Sequence, residues 1–233
     1  MPIVLGFDVY GTLVDPFGME RQLEAACGDR GRAMSALWRQ KQLEYSFRRG
    51  LMQCYEDFDA CTRRALLFAA KTFNVELTDA VQQQLLADYL KLPTFSDVLP
   101  ALAALRSLGF RLLAFSNGVE SSLRTQLGNS GVLPCFESVV SVDDIKTFKP
   151  SPEVYAYLVR RGGSCRDTWL ISANPFDVIG AKSAHLRAAW VKRSPESVFD
   201  PWEFEPDLVV SNLLELATRL ESHRALTTSQ GQT

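Results

Sequence analysis

The stretch Val4-Leu5-Gly6-Phe7-Asp8-Val9-Tyr10-Gly11-Thr12-Leu13 places an aspartate where an apolar run ends, ahead of a glycine-containing turn. A buried strand that delivers a carboxylate to its C-terminal edge is how an open α/β sheet presents a reactive group. An aspartate in this place also commonly caps a helix. The residue two positions after Asp8 is Tyr10 rather than a second acid, and this limits the chemistry that Asp8 can support.

The composition is that of an ordinary globular protein. Of the 233 residues, 46% are hydrophobic, which is enough to bury a core, and the formal net charge is −2. This charge gives no reason to expect nucleic acid or an anionic membrane as a partner. No apolar stretch approaches the length of a membrane span, and the first residues lack the pattern of a secretory signal, so we do not expect export.

The cysteines indicate a reducing compartment. They are odd in number, scattered and without a C-x-x-C pair: Cys27, Cys54, Cys61, Cys135 and Cys165. With only two histidines in the chain, a zinc site is not expected. We therefore predict a cytoplasmic protein.

Two regions differ in their periodicity. Residues 17–92 carry almost no strand signal, and three stretches there have apolar residues at helical spacing: Met34–Phe47, Tyr55–Phe73 and Asp79–Leu90. From residue 94 onward helices and strands alternate, which implies a parallel sheet with right-handed crossovers. Further strands are predicted over Phe110–Phe115, Ser138–Val140, Thr168–Ile171, Ala188–Val191 and Leu208–Val210. Further helices are predicted over Val98–Leu108, Glu120–Leu127, Pro150–Arg160, Phe176–His185 and Leu213–Leu220.

This layout predicts an α/β protein, with a Rossmann-like parallel sheet core and a helical cap inserted after the first strand. The core would comprise residues 1–15 and 94–222, the cap residues 16–93, and a polar, flexible tail residues 223–233. An insert that leaves and re-enters at the C-terminal edge of the sheet would lie over Asp8 as a lid, exclude water and contribute side chains to a closed pocket.

Three further segments place polar residues at the same edge of the sheet. Ser116, in Ala114-Phe115-Ser116-Asn117-Gly118, ends a strand in a turn typical of an anion cradle, although Ser-Asn-Gly is also ordinary turn chemistry. Lys149 precedes Pro150; near Asp8 it would keep the carboxylate ionised, whereas most lysines are solvated at the surface. Asp177 follows another strand, where it could cap a helix or orient or deprotonate a water.

Four such segments, in this order at one sheet edge, resemble the motifs of the haloacid dehalogenase superfamily: a nucleophilic Asp, a Ser or Thr, a Lys and a terminal acidic loop. The resemblance covers nearly the whole chain, including the insert. Phosphotransferases of this superfamily carry a second acid where this chain has Tyr10, and tyrosine, with a pKa of about 10, is a poor acid at neutral pH. They usually carry a magnesium-binding Asp where this chain has Ala173, which offers no side-chain oxygen.

The remaining pattern resembles the L-2-haloacid dehalogenases. The stretch 37–45, Leu-Trp-Arg-Gln-Lys-Gln-Leu-Glu-Tyr, is similar to the cap helix of that family that bears its halide-binding arginine, here Arg39. The helical spacing independently supports a functional role for Arg39. This residue lies one turn before Leu43 and two before Phe47, on an apolar face where an unpaired charge is costly. An arginine that extends its charged end from a core-facing helix would show the same spacing.

The resemblance implies a hydrolytic dehalogenation that needs no cofactor or metal. Asp8 would attack C2 of a short L-2-haloalkanoic acid opposite the halogen, forming an ester that water then cleaves at the Asp8 carboxyl carbon to release the 2-hydroxy acid. Arg39 and the amide of Asn117 would stabilise the halide, and such preorganised donors are often the largest catalytic contribution. Ser116 and Lys149 would hold the substrate carboxylate.

The resemblance also implies roles for the surrounding residues. Four would position Asp8 and the hydrolytic water: Thr12, Ser172, Asn174 and Asp177. Three aromatic residues would line the pocket, the second by packing on the substrate: Tyr10, Phe58 and Tyr155. Phe176 stands in a loop where close relatives often have Trp, and it lacks the indole N–H donor. The family further suggests a homodimer that pairs through the insert.

Two alternatives stay open from the sequence. One is a magnesium-dependent small-molecule phosphatase with altered motifs, and the other is a binding or regulatory protein that has kept the fold and lost turnover. The dehalogenase hypothesis implies only two ligands, the 2-haloacid substrate and the halide.

Overall fold

A computed structural model describes residues 2–165 and 167–230, and a six-stranded parallel sheet forms its centre. The strands are β1 (Val4–Phe7), β2 (Arg111–Ser116), β3 (Ser138–Ser141), β4 (Thr168–Ser172), β5 (Arg187–Val191) and β6 (Leu208–Val210). Their order across the sheet is β3-β2-β1-β4-β5-β6, and every neighbouring pair is parallel. Phe7 pairs with Ala114 on one side and Ile171 on the other, so β1 is central. The predicted parallel α/β core is confirmed.

Helices connect most of the strands, and one follows the last strand. In chain order they are α1 (Glu20–Cys27), α2 (Gly31–Leu51), α3 (Phe58–Thr72), α4 (Asp79–Tyr89), α5 (Val98–Ser107), α6 (Glu120–Asn129), α7 (Pro152–Gly162), α8 (Pro175–Ser183) and α9 (Leu213–Gln230). All four residues of β1 are buried, as is typical of a central parallel strand covered on both faces. Gly6 allows α7 to approach β1 closely, because a Cβ atom there would lie 2.8 Å from a methyl carbon of Leu158.

The helices α1–α4 form an insertion that leaves and rejoins the sheet at adjacent points. The backbone N–H of Asp15 donates to the carbonyl of Pro93 at 2.9 Å, and that of Phe95 donates to Leu13 at 3.1 Å. These two bonds join the outgoing and returning segments, and they lie at the predicted limits of the insert.

Several elements differ from the sequence prediction; the helix α2, for example, covers Gly31–Leu51 where Met34–Phe47 was predicted. The helix α1 was not predicted as a separate element, because its eight residues span little more than two turns. The helix α7 begins at Pro152 rather than at Pro150; a proline in the first helical turn lacks only an N–H that would be unpaired there anyway. The helix α9 continues to Gln230, ten residues past the predicted end at Leu220, through a polar stretch with no apolar period. The predicted tail overlaps that helix, and its last three residues lie outside the described part of the chain.

The apolar core extends from the sheet into the insertion. Buried side chains of α2 and α3 belong to the same cluster as those of β1 and β2, for example Trp38 and Phe58 with Phe7 and Phe115. None of the helices described is long and apolar enough to cross a membrane.

Candidate active site

The polar residues predicted at the strand ends meet at one edge of the sheet. Asp8 directly follows β1, and Ser116 and Ser172 end the two neighbouring strands β2 and β4. Because adjacent parallel strands end side by side, these side chains lie around one point. Lys149 reaches the same point from the segment before α7, and it is only 1% exposed. The convergence expected from the sequence is present.

The two carboxylate oxygens of Asp8 have different surroundings. Oδ2 accepts hydrogen bonds from Asn174 Nδ2 at 2.7 Å, Thr12 Oγ1 at 2.9 Å and Ser172 Oγ at 3.4 Å. Oδ1 accepts one, from Lys149 Nζ at 3.0 Å. A carboxylate oxygen has two lone-pair sites, so Oδ2 is fully engaged while Oδ1 keeps acceptor capacity.

The loop after β1 is shaped to bring Thr12 back to Asp8. Gly11 has a φ of 93°, a backbone conformation that residues other than glycine rarely adopt. Thr12 Oγ1 accepts from the backbone N–H of Ala173 at 2.8 Å while it donates to Asp8, which orients its hydroxyl proton. Asn174 connects the same two loops, since its Nδ2 also donates to the carbonyl of Tyr10 at 3.0 Å.

Lys149 is the buried cation of the site. Its Nζ donates to Asp8 Oδ1 at 3.0 Å, to Asp177 Oδ2 at 2.8 Å and to the carbonyl of Phe115 at 3.0 Å. Burial alone would lower the pKa of Lys149, but the carboxylates of Asp177 and Asp8 outweigh it and raise the pKa. All three ammonium hydrogens therefore have protein acceptors. The expectation that Lys149 holds the substrate carboxylate does not fit this arrangement, because no donor is left for it.

Asp177 lies behind Lys149, out of contact with the cavity. It is fully buried, and the hydroxyl of Tyr155 donates to its Oδ1 at 2.9 Å. Burial, the largest influence, raises the pKa of Asp177 and Asp8 adds to the rise, whereas Lys149 opposes it. Tyr155 was expected to line the pocket, and this is wrong: its ring is buried against Phe115, and its hydroxyl serves Asp177 instead.

A small cavity of about 10 Å³ lies in front of Asp8. The core contributes seven of its lining residues: Asp8, Tyr10, Ser116, Asn117, Lys149, Asn174 and Phe176. The insertion contributes three: Arg39, Leu43 and Phe58. The insert thus lies over Asp8, as its connection to the sheet edge predicts. Thr12, Ser172, Tyr155 and Asp177 stand outside this lining, and three of them contact Asp8 or Lys149 directly.

The turn after β2 presents two polar groups to the cavity. Asn117 Oδ1 accepts from the backbone N–H of Lys149 at 2.9 Å, which leaves its Nδ2 as a donor. Ser116 Oγ accepts from the backbone N–H of Gly118 at 3.2 Å, and its hydroxyl proton has no acceptor among the described residues. Both side chains are buried, and both line the cavity.

Arg39 brings a positive charge to the opposite wall. Its Nη1 donates to Gln42 Oε1 at 2.8 Å, and its Nη2 donates to the carbonyl of Tyr10 at 3.2 Å. Both acceptors are neutral, and no ion pair in the part of the chain that the structure describes includes Arg39. The charge that the helical spacing places on a half-buried face is therefore available to an anion in the cavity.

Aromatic rings complete the walls. Tyr10 lies between Phe58, with ring centroids 5.9 Å apart, and Tyr89, at 5.5 Å. Burial raises the pKa of Tyr10 well above its usual value, so its hydroxyl stays protonated at neutral pH and is not the missing acid. Phe176 meets Phe47 of α2 edge to face at 5.0 Å.

Three residues that contribute to this site were not identified as such from the sequence. Gln42 and Leu43 follow Arg39 by three and four positions on α2, a spacing that places them on the same helix face and could have indicated them. Tyr89 lies at the end of α4, and no local signal connects it to the site.

Comparisons with known proteins agree with this geometry. The family model of haloacid dehalogenase-like hydrolases matches residues 4–185. The chain is 35% identical over 215 residues to (S)-2-haloacid dehalogenase 2 of Pseudomonas sp. strain CBS-3, covering 92% of this chain and 93% of that protein. It is 36% identical over 207 residues to haloacetate dehalogenase H-2 of Moraxella sp. strain B, covering 88% and 92%.

One solved structure has the same fold as this chain over almost the whole length of both proteins. It is that of the L-2-haloacid dehalogenase from Xanthobacter autotrophicus with chloropropionic acid covalently bound, which matches with a TM-score of 0.87 and 31% identity, covering 94% of this chain and 98% of the other. The chain therefore belongs to the haloacid dehalogenase-like hydrolases, in the branch of the L-2-haloacid dehalogenases.

Proposed function

We propose that this enzyme converts short L-2-haloalkanoic acids to 2-hydroxy acids with inversion at C2, through an ester on Asp8 and without a metal ion. The observation that carries the proposal is the asymmetric carboxylate of Asp8, with Oδ1 still able to react, opposite the cation Arg39 in one small cavity. The covalent chloropropionic acid complex of the Xanthobacter relative supports a covalent route.

In the first half-reaction Oδ1 of Asp8 attacks C2, and the carbon–halogen bond breaks with its electron pair going to the halide. Arg39 and Nδ2 of Asn117 stabilise the charge that develops on the leaving group. Donors that are already oriented before the reaction lose nothing to reorganisation, which is why removing a single one often costs about 100- to 1000-fold in rate.

The substrate carboxylate is held by Ser116 rather than by Lys149. The hydroxyl of Ser116 retains a donor that lies in the cavity, whereas the three donors of Lys149 are engaged with Asp8, Asp177 and Phe115. Lys149 acts instead on Asp8, whose carboxylate it binds and keeps turned toward the cavity.

In the second half-reaction water attacks the carboxyl carbon of the Asp8 ester. Thr12, Ser172 and Asn174 stabilise the negative charge on Oδ2. The proton of the water passes to Asp177 through Lys149, whose Nζ lies between the carboxylates of Asp8 and Asp177. A carboxylate whose pKa is raised by burial is better suited to accept a proton near neutral pH. The oxygen that leaves with the product comes from Asp8, and the oxygen of the water stays in the carboxyl group.

The size and lining of the cavity support a small substrate. A volume of about 10 Å³ is close to the minimum that holds one water, so the walls must separate before a haloacid enters. We propose that residues 16–93 act as a cap that moves against a core of residues 1–15 and 94–222. Tyr10, Phe58 and Phe176 then close an apolar wall around the substrate.

We also propose that the enzyme is a cytoplasmic homodimer. Leu51 and Trp202 are 86% and 62% exposed and line one apolar groove of about 610 Å³, a surface that a second copy could cover. All five cysteines are free, which is consistent with a reducing compartment.

Halide release from L-2-chloropropionate in the presence of a chelator tests the reaction. Persistent release supports dehalogenation, whereas phosphate-ester cleavage that the chelator abolishes would favour the phosphatase alternative. Absence of both halide release and phosphate-ester cleavage would favour a binding protein. Asp8→Asn should abolish release, and Asp200→Asn, which changes an exposed aspartate in the same way, should not. In a single turnover in heavy-oxygen water, label should enter Asp8 before it enters product; label found first in the product would exclude the ester.

A further inference from the structure

Gln42 is a buried amide at the back of the Arg39 guanidinium. It is 1% exposed, lies on α2 one turn after Arg39, and does not line the cavity. Its Oε1 accepts from Arg39 Nη1 at 2.8 Å and from the hydroxyl of Tyr89 at 3.1 Å. Its Nε2 donates to Thr62 Oγ1 at 2.6 Å. The side chain therefore joins three helices of the insert, α2, α3 and α4, at the arginine.

The surrounding bonds determine which way the amide faces. Thr62 Oγ1 donates its hydroxyl proton to the carbonyl of Phe58 at 2.8 Å, so toward Gln42 it can only accept. The NH₂ group of Gln42 must therefore face Thr62, and its oxygen must face Arg39 and Tyr89. Burial raises the pKa of Tyr89, which keeps that hydroxyl protonated as a donor.

Gln42 supplies a neutral acceptor where an acidic residue would also fit by size. A carboxylate at this position would pair with Arg39 and cancel the charge that the cavity receives. The amide oxygen orients the guanidinium through one hydrogen bond and leaves its full positive charge unpaired. The carbonyl of Tyr10 holds the other terminal nitrogen, so the guanidinium is fixed from two sides by neutral acceptors.

We propose that Gln42 is a positioning residue that orients Arg39 toward the departing halide and keeps its charge uncompensated, and so sets the halide affinity of the site. This inference rests on the assignment of Arg39 under the proposed function. Gln42 touches neither substrate nor reacting atoms; it acts through Arg39 alone.

Two variants of Gln42 separate orientation from charge. Gln42→Met keeps the volume and removes both hydrogen-bonding groups; it should slow formation of the Asp8 ester about 10- to 100-fold, because a small misplacement of a catalytic group is costly. Gln42→Glu keeps an acceptor and adds a charge; it should raise the inhibition constants of chloride and bromide at least about tenfold. Gln83→Met, at an exposed glutamine of α4, is the matched control.

Separate measurement of the two half-reactions distinguishes positioning from a general loss of structure. Hydrolysis of the preformed ester does not involve Arg39, so its single-turnover rate should stay unchanged in both variants. The preference for bromopropionate over chloropropionate should increase, since the poorer leaving group depends more on the arginine. Tyr89→Phe removes the second donor to the amide oxygen and the contact of that hydroxyl with Arg39. It should raise the halide inhibition constants less than the Gln42 variants do, and it keeps the inference testable if the Gln42 variants do not fold.

Chloride binding to the resting protein, followed by chlorine NMR line broadening, tests the inference without turnover. If the wild type releases no halide but Gln42→Glu still weakens chloride binding, the proposed function fails and the inference stands. Unchanged halide constants in Gln42→Glu, equal slowing of both half-reactions in Gln42→Met, or no chloride binding by the wild type would overturn it.

Discussion

Replacing Lys149 with methionine should show how far one buried ammonium group stabilises this fold. The side chain is 1% exposed and lies between the carboxylates of Asp8 and Asp177, at 3.0 and 2.8 Å. Methionine is unbranched and similar in length, so it fills the space without replacing the charge. The variant leaves two carboxylates buried without their common cation.

The expected loss is large for a single substitution. Removing one partner of a buried ion pair costs about 3–5 kcal/mol, and the carbonyl of Phe115 loses a hydrogen bond worth about 1 kcal/mol in addition. A domain is stable by only about 5–15 kcal/mol in total. Lys182→Met, which breaks a partly exposed pair with Asp207, is the matched control and should cost less than about 1 kcal/mol.

The loss in the free energy of unfolding should be larger at higher pH, because Asp177 is then ionised. Without the ammonium, the pKa of Asp177, already raised by burial, rises further above the unfolded value of about 3.9. The folded variant then binds a proton that the unfolded chain does not, so its stability falls as pH rises from about 4 through that raised pKa. In the wild type the raised pKa of Lys149 keeps its contribution complete below about 10.4, the usual lysine value.

Urea unfolding of the full chain at pH 5 and pH 8 measures both effects. We expect the free energy of unfolding of Lys149→Met to fall by about 4 kcal/mol at pH 8 and by clearly less at pH 5. The double variant with Asp177→Asn should recover part of the loss, because one of the two uncompensated charges is gone. A loss below about 1 kcal/mol at pH 8, or an equal loss at both pH values, would refute the reasoning.

Three further predictions follow from single contacts. Tyr10→Phe should leave the pH profile of kcat/KM unchanged, because burial keeps the hydroxyl protonated; a shifted limb would show that this group titrates during the reaction. Tyr155→Phe removes a hydrogen bond that lowers the pKa of Asp177, so the acid limb of kcat should move to higher pH, and an unmoved limb would exclude Asp177 as the base. Gly180→Ala should destabilise the protein to urea by about 1–3 kcal/mol, since the new methyl would overlap the ring and hydroxyl of Tyr155, whereas alanine inside an unobstructed helix would stabilise by up to about 1 kcal/mol.

Much of the fold was predictable because its elements carry local signals. β1 and β4 are continuous apolar runs that end at polar residues, and α2 and α3 repeat apolar residues at helical spacing. The helical segments that were not predicted lack such local signals. The helix α1 is only eight residues long, and the last ten residues of α9 have no apolar period, so neither was recognised although both are helical.

Sequence reasoning also identified which residues meet, since parallel strands end at one edge, and it placed Arg39 over Asp8 through the insert. It did not predict what each group is free to do. Whether Lys149 can bind a substrate depends on how many acceptors already surround its three hydrogens. Those acceptors come from the residue after β1, from β2 and from α8. Tyr155 was expected in the pocket, yet the space left by Gly180 lets its hydroxyl reach Asp177 instead.

The sequence by itself determined the parallel α/β sheet, the helical insert and the family. The motifs at the strand ends, and Tyr10 and Ala173 in place of acidic residues, are properties of residue type and order. Only the tertiary structure decided that Oδ1 of Asp8 keeps acceptor capacity, that Lys149 binds Asp8 and Asp177, and that Gln42 lies behind Arg39. The physical reason is that a donor or acceptor has a small, fixed number of bonds to give. Which neighbours take them is settled when distant segments pack, and no local pattern records it.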